Sequence, residues 1–454
     1  MKVTEPERRH RDAVQRLRAS YLAIPAGSPV RLAKRTSNLF RSRAATGVPG
    51  LDVSGLTGVL HVGPAARTAD VAGMCTYADL VAATLAHGLT PLVVPQLKTI
   101  TLGGAVSGLG VESASFRNGL PHESVLEFDV LTGAGEVVTV APGDDLFAGF
   151  PNSYGTLGYA TRLRIELEPV RSHVVLRHVR FDDLDEQCAA VARIMATGAW
   201  GGETVDYLDG VMFCPAESYL TLGRRAEHEG PASDYTGQRI YYRSIQQRDR
   251  DVLRTHDYLW RWDTDWFWCS QALGAQHPVL RRLWPARLRR SEVYWKIVAL
   301  DRRLDLTNRL EVRRGRPRRE PVIQDVEIPL ERTAAFLRWF AEHVPITPVW
   351  LCPVRLRGER GWPLYPLEPG RGYVNVGFWS MVPIASGATD GDLNRSIEHQ
   401  VHAVGGHKSL YSDSFYSRAD FDARYGGERY AALKARYDPD RRLLDLYAKA
   451  VRRR

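Results

Sequence analysis

The sequence predicts an α+β protein built from more than one domain. The chain has 454 residues, too many for a single hydrophobic core, so two or three domains are expected. Its hydrophobic and charged contents, 44% and 25%, are typical of a globular protein rather than a disordered one. Helical spacing and strand-like alternation both occur along the chain. We predict three regions, at residues 1–170, 171–404 and 405–454.

The first region combines a basic N-terminal helix with short strands and a hairpin. Residues 1–43 predict a basic amphipathic helix followed by a loop, and residues 77–87 predict a helix that stops at Gly88. The glycine turn at residues 132–135 predicts a hairpin between the strands on either side of it. Further strands are predicted at residues 58–71, 92–95 and 160–167, with a turn at residues 155–158.

The second region begins with an alternating strand over residues 174–180 and a helix around residues 187–197. Two later strands are predicted at residues 321–329 and 373–379. The last 50 residues mostly show the pattern of short helices.

The cysteines and the apolar runs exclude several protein classes. The five cysteines are scattered, odd in number and without a CxxC pair, so neither a disulfide framework nor a metal site is predicted. The first ten residues lack the apolar core of a secretory signal, and no run of 18 apolar residues occurs. We therefore expect a cytoplasmic protein, either free or peripheral on the inner face of the cell membrane.

Basic charge is concentrated in one segment. Between Val279 and Arg319 there are 14 Lys and Arg residues against four acidic residues, an excess larger than the +9 of the whole chain. Just before it, YLWRWDTDWFW (residues 258–268) holds six aromatic residues. Tryptophan beside arginine is typical of membrane interfaces. We predict contact with an anionic membrane surface through residues 258–319. The alternatives are that the aromatic residues belong to the domain core and that the arginines form a solvated face. Nucleic acid is not predicted, because no reader motif is present.

A glycine-rich stretch, TLGGAVSGLGVES at residues 101–113, is the main candidate ligand site. Closely spaced glycines let backbone amides approach a bulky ligand and cradle a pyrophosphate. A P-loop is excluded because its Gly-Lys-Ser/Thr ending is absent. A Rossmann fingerprint is excluded because residues 113–119 predict a loop where that motif has a helix. Glycine spacing alone leaves a ligand site and a plain turn equally open.

The wider sequence resembles the vanillyl-alcohol-oxidase-type flavoproteins, and among them the delta-24 sterol reductases. The resemblance implies an α+β fold with a PCMH-type FAD-binding domain, a second α+β substrate domain and a C-terminal helical segment that returns to the flavin. It runs in order over nearly the whole chain, through VPQLKTITLGG (94–104), GVES (110–113), NG (118–119), GTLG (155–158), VIQDV (322–326), PVWLCP (348–353) and LYSDSFY (410–416).

The resemblance also implies how FAD is held. Loops at residues 34–40 and 99–107 would bind the pyrophosphate, and residues 155–158 would lie near the adenosine end. Covalent members of the family use a histidine in the first loop, and KRTSNLF contains none, so non-covalent FAD is expected. His122 is expected to be a buried structural residue. The implied cofactor-binding residues are Ser37, Asn38, Thr101, Leu102, Gly103, Gly104, Ser107, Gly108, Gly110, Glu112, Ser113, Gly119, Gly155, Thr156 and Gly158.

The activity that the resemblance implies is reduction of an isolated alkene, with NADPH or NADH reducing FAD. The arginine- and alanine-rich composition is typical of a high-GC bacterium, and most bacteria make no sterols. The sequence also resembles the actinobacterial flavoproteins that reduce 10-methylene fatty acyl phospholipids to 10-methyl (tuberculostearic) chains, which makes such a lipid the leading substrate. Alternatives are a sterol side chain, an oxidase or dehydrogenase of an alcohol or sugar, and a basic lipid- or nucleic-acid-binding protein with a vestigial flavin site.

Alkene reduction without a polarising carbonyl needs a proton donor beside an apolar channel. The candidates are residues that such a fold would bring toward the flavin: Tyr411, His407 and Tyr416 in the C-terminal region, and Asp325 in a predicted strand. Each also has a plainer interpretation, as a pocket wall or a surface residue. Glu112 is expected to anchor its loop rather than to act as an acid.

Overall fold

The computed structural model describes residues 4–34, 40–41 and 50–451, with the backbone alone at Arg302. The N-terminal region, through residue 169, forms an α+β layer around one antiparallel sheet. Its central strand, β6, alternates buried and partly exposed side chains, with Leu163 and Ile165 in the core. The elements are α1 (Glu5–Leu22), β1 (Val59–Gly63), β2 (Thr68–Ala72), α2 (Tyr77–Leu85), β3 (Leu89–Pro91), α3 (Leu102–Ser107), α4 (Ser115–Asn118), β4 (Val125–Thr132), β5 (Val137–Val140), α5 (Asp145–Gly149) and β6 (Gly158–Pro169).

This first sheet has the order β1-β2-β6-β4-β5, and β3 pairs with β6. The predicted hairpin is confirmed as β4 and β5. The strand predicted at residues 92–95 is wrong, because the strand lies at Leu89–Pro91. Leu92, Val93 and Val94 are apolar because they are buried in the segment that follows the strand.

Residues 113–119 were predicted as a loop, and this too is wrong in part, because Ser115–Asn118 form one helical turn, α4. Within the glycine-rich stretch, Leu102–Ser107 form the short helix α3. Thr101 is the N-cap of α3 and accepts a hydrogen bond from the Gly104 amide at 3.2 Å. The helix leaves only part of the stretch, including Gly104 and Ser107, partly exposed.

The middle of the chain is built on a second, larger antiparallel sheet with the order β12-β7-β11-β10-β14-β15-β13-β16. Its elements are β7 (His173–Phe181), α6 (Leu184–Thr197), β8 (Ala199–Trp200), β9 (Glu203–Thr204), β10 (Tyr207–Cys214), β11 (Glu217–Ala226), α7 (Tyr241–Ser244), β12 (Arg250–Arg254), α8 (Thr255–Leu259), α9 (Pro278–Leu283), α10 (Ser291–Leu304), α11 (Leu306–Arg313), β13 (Arg319–Pro329), α12 (Leu330–His343), β14 (Val349–Val354), β15 (Tyr373–Pro383), α13 (Asp392–Ala403) and β16 (His407–Lys408).

The two faces of the second sheet have different partners. Alternate residues of β13 and β15, such as Val326 and Phe378, share one apolar cluster with residues of α6 and α12. The opposite face carries Trp350 and Cys352, which belong to the cluster that also contains the core of the first sheet. The sheet therefore directs Asp325 and its same-face neighbours toward the N-terminal region.

The aromatic residues 258–268 belong to the core. Trp260 and Trp262 are each 1% exposed, and Trp266, Phe267 and Trp268 are also buried. Of the two interpretations open for these aromatic residues, domain core is the one that the structure shows. They therefore contribute nothing to an exposed surface, and any surface role falls to the residues after them.

The C-terminal region returns to the first sheet. Its helices are α14 (Arg418–Arg424), α15 (Gly427–Tyr437) and α16 (Leu446–Ala450). Lys434 donates to the Thr156 carbonyl at 2.7 Å, and Lys449 donates to the Tyr154 carbonyl at 2.6 Å. The Phe40 amide donates to the Tyr411 carbonyl at 2.8 Å. Tyr411 and the helices that follow it are thereby held against the N-terminal region.

Among the described residues, no helix is long and apolar enough to cross a lipid bilayer. All five cysteines are free thiols. Within the same residues, no cluster of three or more His, Cys, Asp or Glu side chains is arranged to hold a metal ion.

Candidate active site

The glycine-rich stretch packs so tightly that two of its glycines leave no room for a side chain. A Cβ at Gly103 would lie 2.6 Å from the Gly73 carbonyl oxygen, because α3 is seated directly on that backbone. A Cβ at Gly108 would lie 2.8 Å from the Gly104 carbonyl oxygen. Close packing by itself therefore explains these two glycines. At Gly104 the neighbour is different, since a Cβ there would lie 3.2 Å from the Lys34 amino nitrogen.

Two cations flank the glycine segment. Lys34 Nζ donates to Thr101 Oγ1 at 2.8 Å, beside the partly exposed Gly104. The Arg41 guanidinium lies 4.6 Å from the centroid of the Tyr154 ring, and the Tyr154 amide donates to the Ser107 carbonyl. Two positive charges near a partly exposed glycine backbone suit the diphosphate of FAD, which carries two negative charges. These residues fit the cofactor. Ser37 and Asn38 lie outside the described residues.

The other implied cofactor residues have local structural roles. Ser113 Oγ hydrogen-bonds the Tyr258 hydroxyl at 2.9 Å, and Ser107 Oγ donates to the Gly103 carbonyl at 2.7 Å. Thr156 Oγ1 donates to the Ser153 carbonyl at 2.8 Å. Leu102 is buried in the core. Gly110 packs against Pro95 and Pro121, and Gly158 packs against Val130. Gly119 and Gly155 have positive φ angles of +71° and +74°.

Glu112 and His122 are enclosed. Glu112 accepts a hydrogen bond from the Gln96 amide, and burial raises the pKa of its carboxyl to about 8, so it is mostly protonated at neutral pH. His122 packs edge-on to Trp362, with ring centroids 4.4 Å apart, and burial lowers its pKa to about 3. His122 is therefore a neutral, buried side chain, as expected for a structural residue.

Asp325 and Tyr411 are brought together on the face of the second sheet that looks toward the N-terminal region. The Tyr411 hydroxyl donates to the Asp325 carboxylate and accepts a hydrogen bond from Trp379 Nε1 at 2.7 Å. Asn375 Nδ2 donates to Asp325 Oδ1 at 3.1 Å. Gly377 pairs with Asp325 in the strand register and leaves room for the Asp325 carboxyl, since a Cβ at Gly377 would lie 2.5 Å from Asp325 Oδ1.

Burial raises the pKa of both groups. It raises the pKa of the Asp325 carboxyl to about 6, although the hydrogen bonds from Asn375 and Tyr411 act in the opposite direction. Burial, with the nearby Asp325, holds the pKa of Tyr411 well above its ordinary value. Both residues keep partial exposure. A carboxyl that titrates close to neutrality in a partly exposed residue is suited to general acid work.

The two other candidate donors are placed differently. His407 pairs with Glu327 in the sheet register, and burial lowers its pKa to about 3, so it carries no extra proton to donate at neutral pH. Tyr416 hydrogen-bonds His402 Nε2 at 2.9 Å in an aromatic cluster with Phe421. Asp325 and Tyr411 are thus the pair that the fold assembles.

Sequence reasoning missed three neighbours of this pair. Asn375 and Trp379 alternate with apolar residues in a strand that was predicted, so strand periodicity could have placed them on one face. Glu327 follows Asp325 by two residues and shares its face. It is fully buried, no described residue hydrogen-bonds its carboxyl oxygens, and burial raises its pKa well above the ordinary value.

We expect Gly103→Ala to lose FAD. The added methyl would overlap the Gly73 carbonyl oxygen, so α3 must move away from the first sheet, and the exposed backbone beside Lys34 moves with it. The measurement is the ratio of flavin to protein absorbance after purification, with circular dichroism to show that the variant is folded. Gly358→Ala is the matched control, because no atom lies within 4 Å of the added Cβ. Full flavin content in folded Gly103→Ala would contradict the expectation.

Comparison with known proteins agrees with this site. An FAD binding domain matches residues 16–141. The chain is 23% identical over 393 residues to the Delta(24)-sterol reductase of Homo sapiens, which covers 84% of this chain and 73% of that protein. It is 24% identical over 392 residues to a Delta(24)-sterol reductase homolog of Caenorhabditis elegans, covering 81% and 72%.

Cytokinin dehydrogenase 2 of Oryza sativa subsp. japonica is 36% identical over 161 residues, which covers 33% of this chain and 28% of that protein. The expected FAD-binding domain and its superfamily are thereby confirmed, together with the α+β fold. From its FAD-binding domain and its relatives, the chain is an FAD-dependent oxidoreductase that is similar to the PCMH-type flavoproteins.

Proposed function

We propose that this protein reduces an isolated carbon–carbon double bond in a lipid, using NADPH or NADH as the electron source. The similarity to Delta(24)-sterol reductases over 84% of the chain supports the reaction class. The leading substrate is a 10-methylene fatty acyl phospholipid, which would become the 10-methyl chain. An alkene in a sterol side chain is the second candidate, favoured by the same relatives.

The observation that carries the proposal is a proton-donating pair set in an apolar wall. Phe40 lies with its ring centroid 5.4 Å from that of Trp266 and 6.0 Å from that of Tyr411. Phe267 and Trp379 continue this wall, with centroids 4.5 Å apart. A wall of this kind suits a hydrocarbon chain, and it offers few polar groups to hold the hydroxyls of a sugar.

Reduction adds one hydride and one proton across the double bond. When bound, FAD would take the hydride from NADPH or NADH and pass it to the more substituted carbon of the alkene. Protonated Asp325 would supply the proton to the less substituted carbon through the Tyr411 hydroxyl, which passes on its own proton as it receives one from Asp325, so that Asp325 ends as a carboxylate and Tyr411 stays neutral. That direction puts the developing positive charge on the tertiary carbon. Trp379, by donating to the Tyr411 oxygen, holds that oxygen in place for the transfer. The apolar wall excludes water from the cation.

An anaerobic experiment tests the reaction. NADPH or NADH should bleach the flavin absorbance, and vesicles that contain a 10-methylene acyl phospholipid should then restore it, with the 10-methyl lipid found by mass spectrometry. If neither nicotinamide bleaches the flavin, the reductase proposal is wrong. If only a sterol alkene restores the colour, the substrate is a sterol. Oxidation of an alcohol or sugar with reduction of oxygen would make the protein an oxidase instead.

A genetic comparison tests the substrate separately. Cells that lack the protein should accumulate a methylene-branched acyl chain and lose the methyl-branched one, as seen by lipid mass spectrometry. Restoring the wild-type chain should reverse both changes. An unchanged lipid profile in the deleted cells would exclude the phospholipid substrate.

A further inference from the structure

Exposed apolar side chains are concentrated in one stretch of this protein. Across the described part of the chain, thirteen large apolar residues are exposed, and ten of them lie between Val279 and Val312. Leu283 is the most exposed, at 74%. Apolar surface gathered in this way marks an interaction site rather than ordinary scatter. The ten residues are Val279, Leu280, Leu283, Leu288, Ile297, Leu300, Leu304, Leu306, Leu310 and Val312.

The same stretch carries an array of exposed cations. Four of these arginines pair with acidic neighbours, as Arg318 does with Asp305 at 3.0 Å. The other six are in no ion pair with any residue that the structure describes, so their charge is available to a partner. Those six are Arg282, Arg287, Lys296, Arg303, Arg309 and Arg313.

Helix α10 connects this surface to the candidate active site. Ile297, Leu300 and Leu304 recur at helical spacing on its exposed side. Tyr294 lies about a quarter turn around the helix from these residues and is fully buried, in the apolar cluster that contains Phe40 and Trp266 and borders Tyr411. Helix α10 thus has one apolar side that is exposed and a second side that borders the proton-donating pair.

We propose that residues 278–318 form a docking surface for the anionic phospholipid bilayer. Leucine side chains enter the boundary between headgroups and acyl chains, while the cations contact lipid phosphates. A bilayer satisfies both features at once. A second copy of the chain would instead bring two cation arrays together, and like charges oppose that contact. The docking surface is narrower than residues 258–319, because the aromatic residues at the start of that range are core.

Vesicle binding tests the proposal with the complete FAD-loaded chain. The wild type should sediment with vesicles that contain phosphatidylglycerol and remain in solution with pure phosphatidylcholine. A triple variant, Leu283→Ser, Leu300→Ser and Leu304→Ser, should bind at least about tenfold more weakly. A charge variant, Arg303→Glu, Arg309→Glu and Arg313→Glu, should also bind at least about tenfold more weakly. Binding of the wild type should weaken as sodium chloride rises from about 0.05 to about 0.5 M.

The matched control changes exposed leucines outside the docking surface. Leu22→Ser, Leu126→Ser and Leu444→Ser together should leave vesicle binding unchanged, because these three residues are exposed elsewhere. Every variant should retain its flavin absorbance. The proposal would be overturned if the leucine variant and its control bound vesicles equally. It would also be overturned if ultracentrifugation showed wild-type dimers that dissociate in the leucine variant, with no vesicle binding by the wild type or the variant. Vesicle binding needs no substrate, so this result is independent of the reaction proposed above.

Discussion

The Asp325→Asn variant should reduce its alkene roughly 100- to 10,000-fold more slowly than the wild type, which is the usual contribution of a general acid. The amide keeps the size of the side chain and can still accept the Tyr411 hydrogen bond, but it has no acidic proton. Flavin content and bleaching by the nicotinamide should not change, because those steps do not use this proton. Rapid-mixing measurement of flavin reoxidation by the alkene isolates the affected step.

The pH profile separates proton donation from a structural role. The pKa of Asp325 is about 6, and the proton-bearing form must act, so the wild-type rate should be greatest below about pH 6. Above it, the rate should fall about tenfold for each further pH unit. Asp325→Asn should lose this dependence, whereas Tyr416→Phe, outside the pair, should keep it. A wild-type rate that rises with pH across this range would show that Asp325 does not act as the acid.

The Arg261→Met variant should lose about 3–5 kcal/mol of unfolding free energy. Arg261 Nη2 donates to Asp209 Oδ2 at 2.8 Å, and the two side chains are only 0% and 2% exposed. Trp262 and Trp350 donate to the same carboxylate oxygen, each at 3.3 Å. Removing the arginine leaves a buried carboxylate without its counter-charge. Urea unfolding of the FAD-loaded protein, followed by tryptophan fluorescence, measures the loss.

A second substitution distinguishes this cause from simple loss of packing. Arg261→Met combined with Asp209→Leu should recover most of the lost stability, since the orphaned carboxylate is gone. Arg338→Met, which breaks an exposed ion pair to Asp185, should cost about 1 kcal/mol or less. If the double variant were no more stable than Arg261→Met, packing rather than charge would be the cause.

Local patterns predicted much of the fold because their physical basis is local. Alternation over residues 321–329 and 373–379 predicted the two strands that carry Asp325, Asn375 and Trp379. The glycine turn predicted the hairpin in the first sheet. What local patterns could not provide is which strands pair, so the contact of Asp325 with Tyr411 appears only once β13 lies between β15 and β16.

The aromatic segment at residues 258–268 shows why the remaining features could not be predicted from the sequence. Arg261 stands between two tryptophans, a pattern that equally suits a membrane interface. Its burial depends on Asp209, which lies 52 residues earlier in the chain. Nothing local to either residue signals the pair. In the same way, the close contact of Gly103 with the Gly73 backbone could not be predicted from the residues next to either glycine.

The backbone hydrogen bond between Phe40 and Tyr411 has a thermodynamic consequence. Phe40 is the last residue of the segment expected to hold the pyrophosphate, and its amide donates a hydrogen bond to the carbonyl of Tyr411, the residue that bears the candidate donor hydroxyl. We therefore expect cofactor affinity and the position of the donor to be coupled, and such coupling is reciprocal. A substitution that displaces Tyr411 should raise the dissociation constant of FAD. A tightly bound flavin should, by the same factor, favour the arrangement in which the proton is ready for transfer.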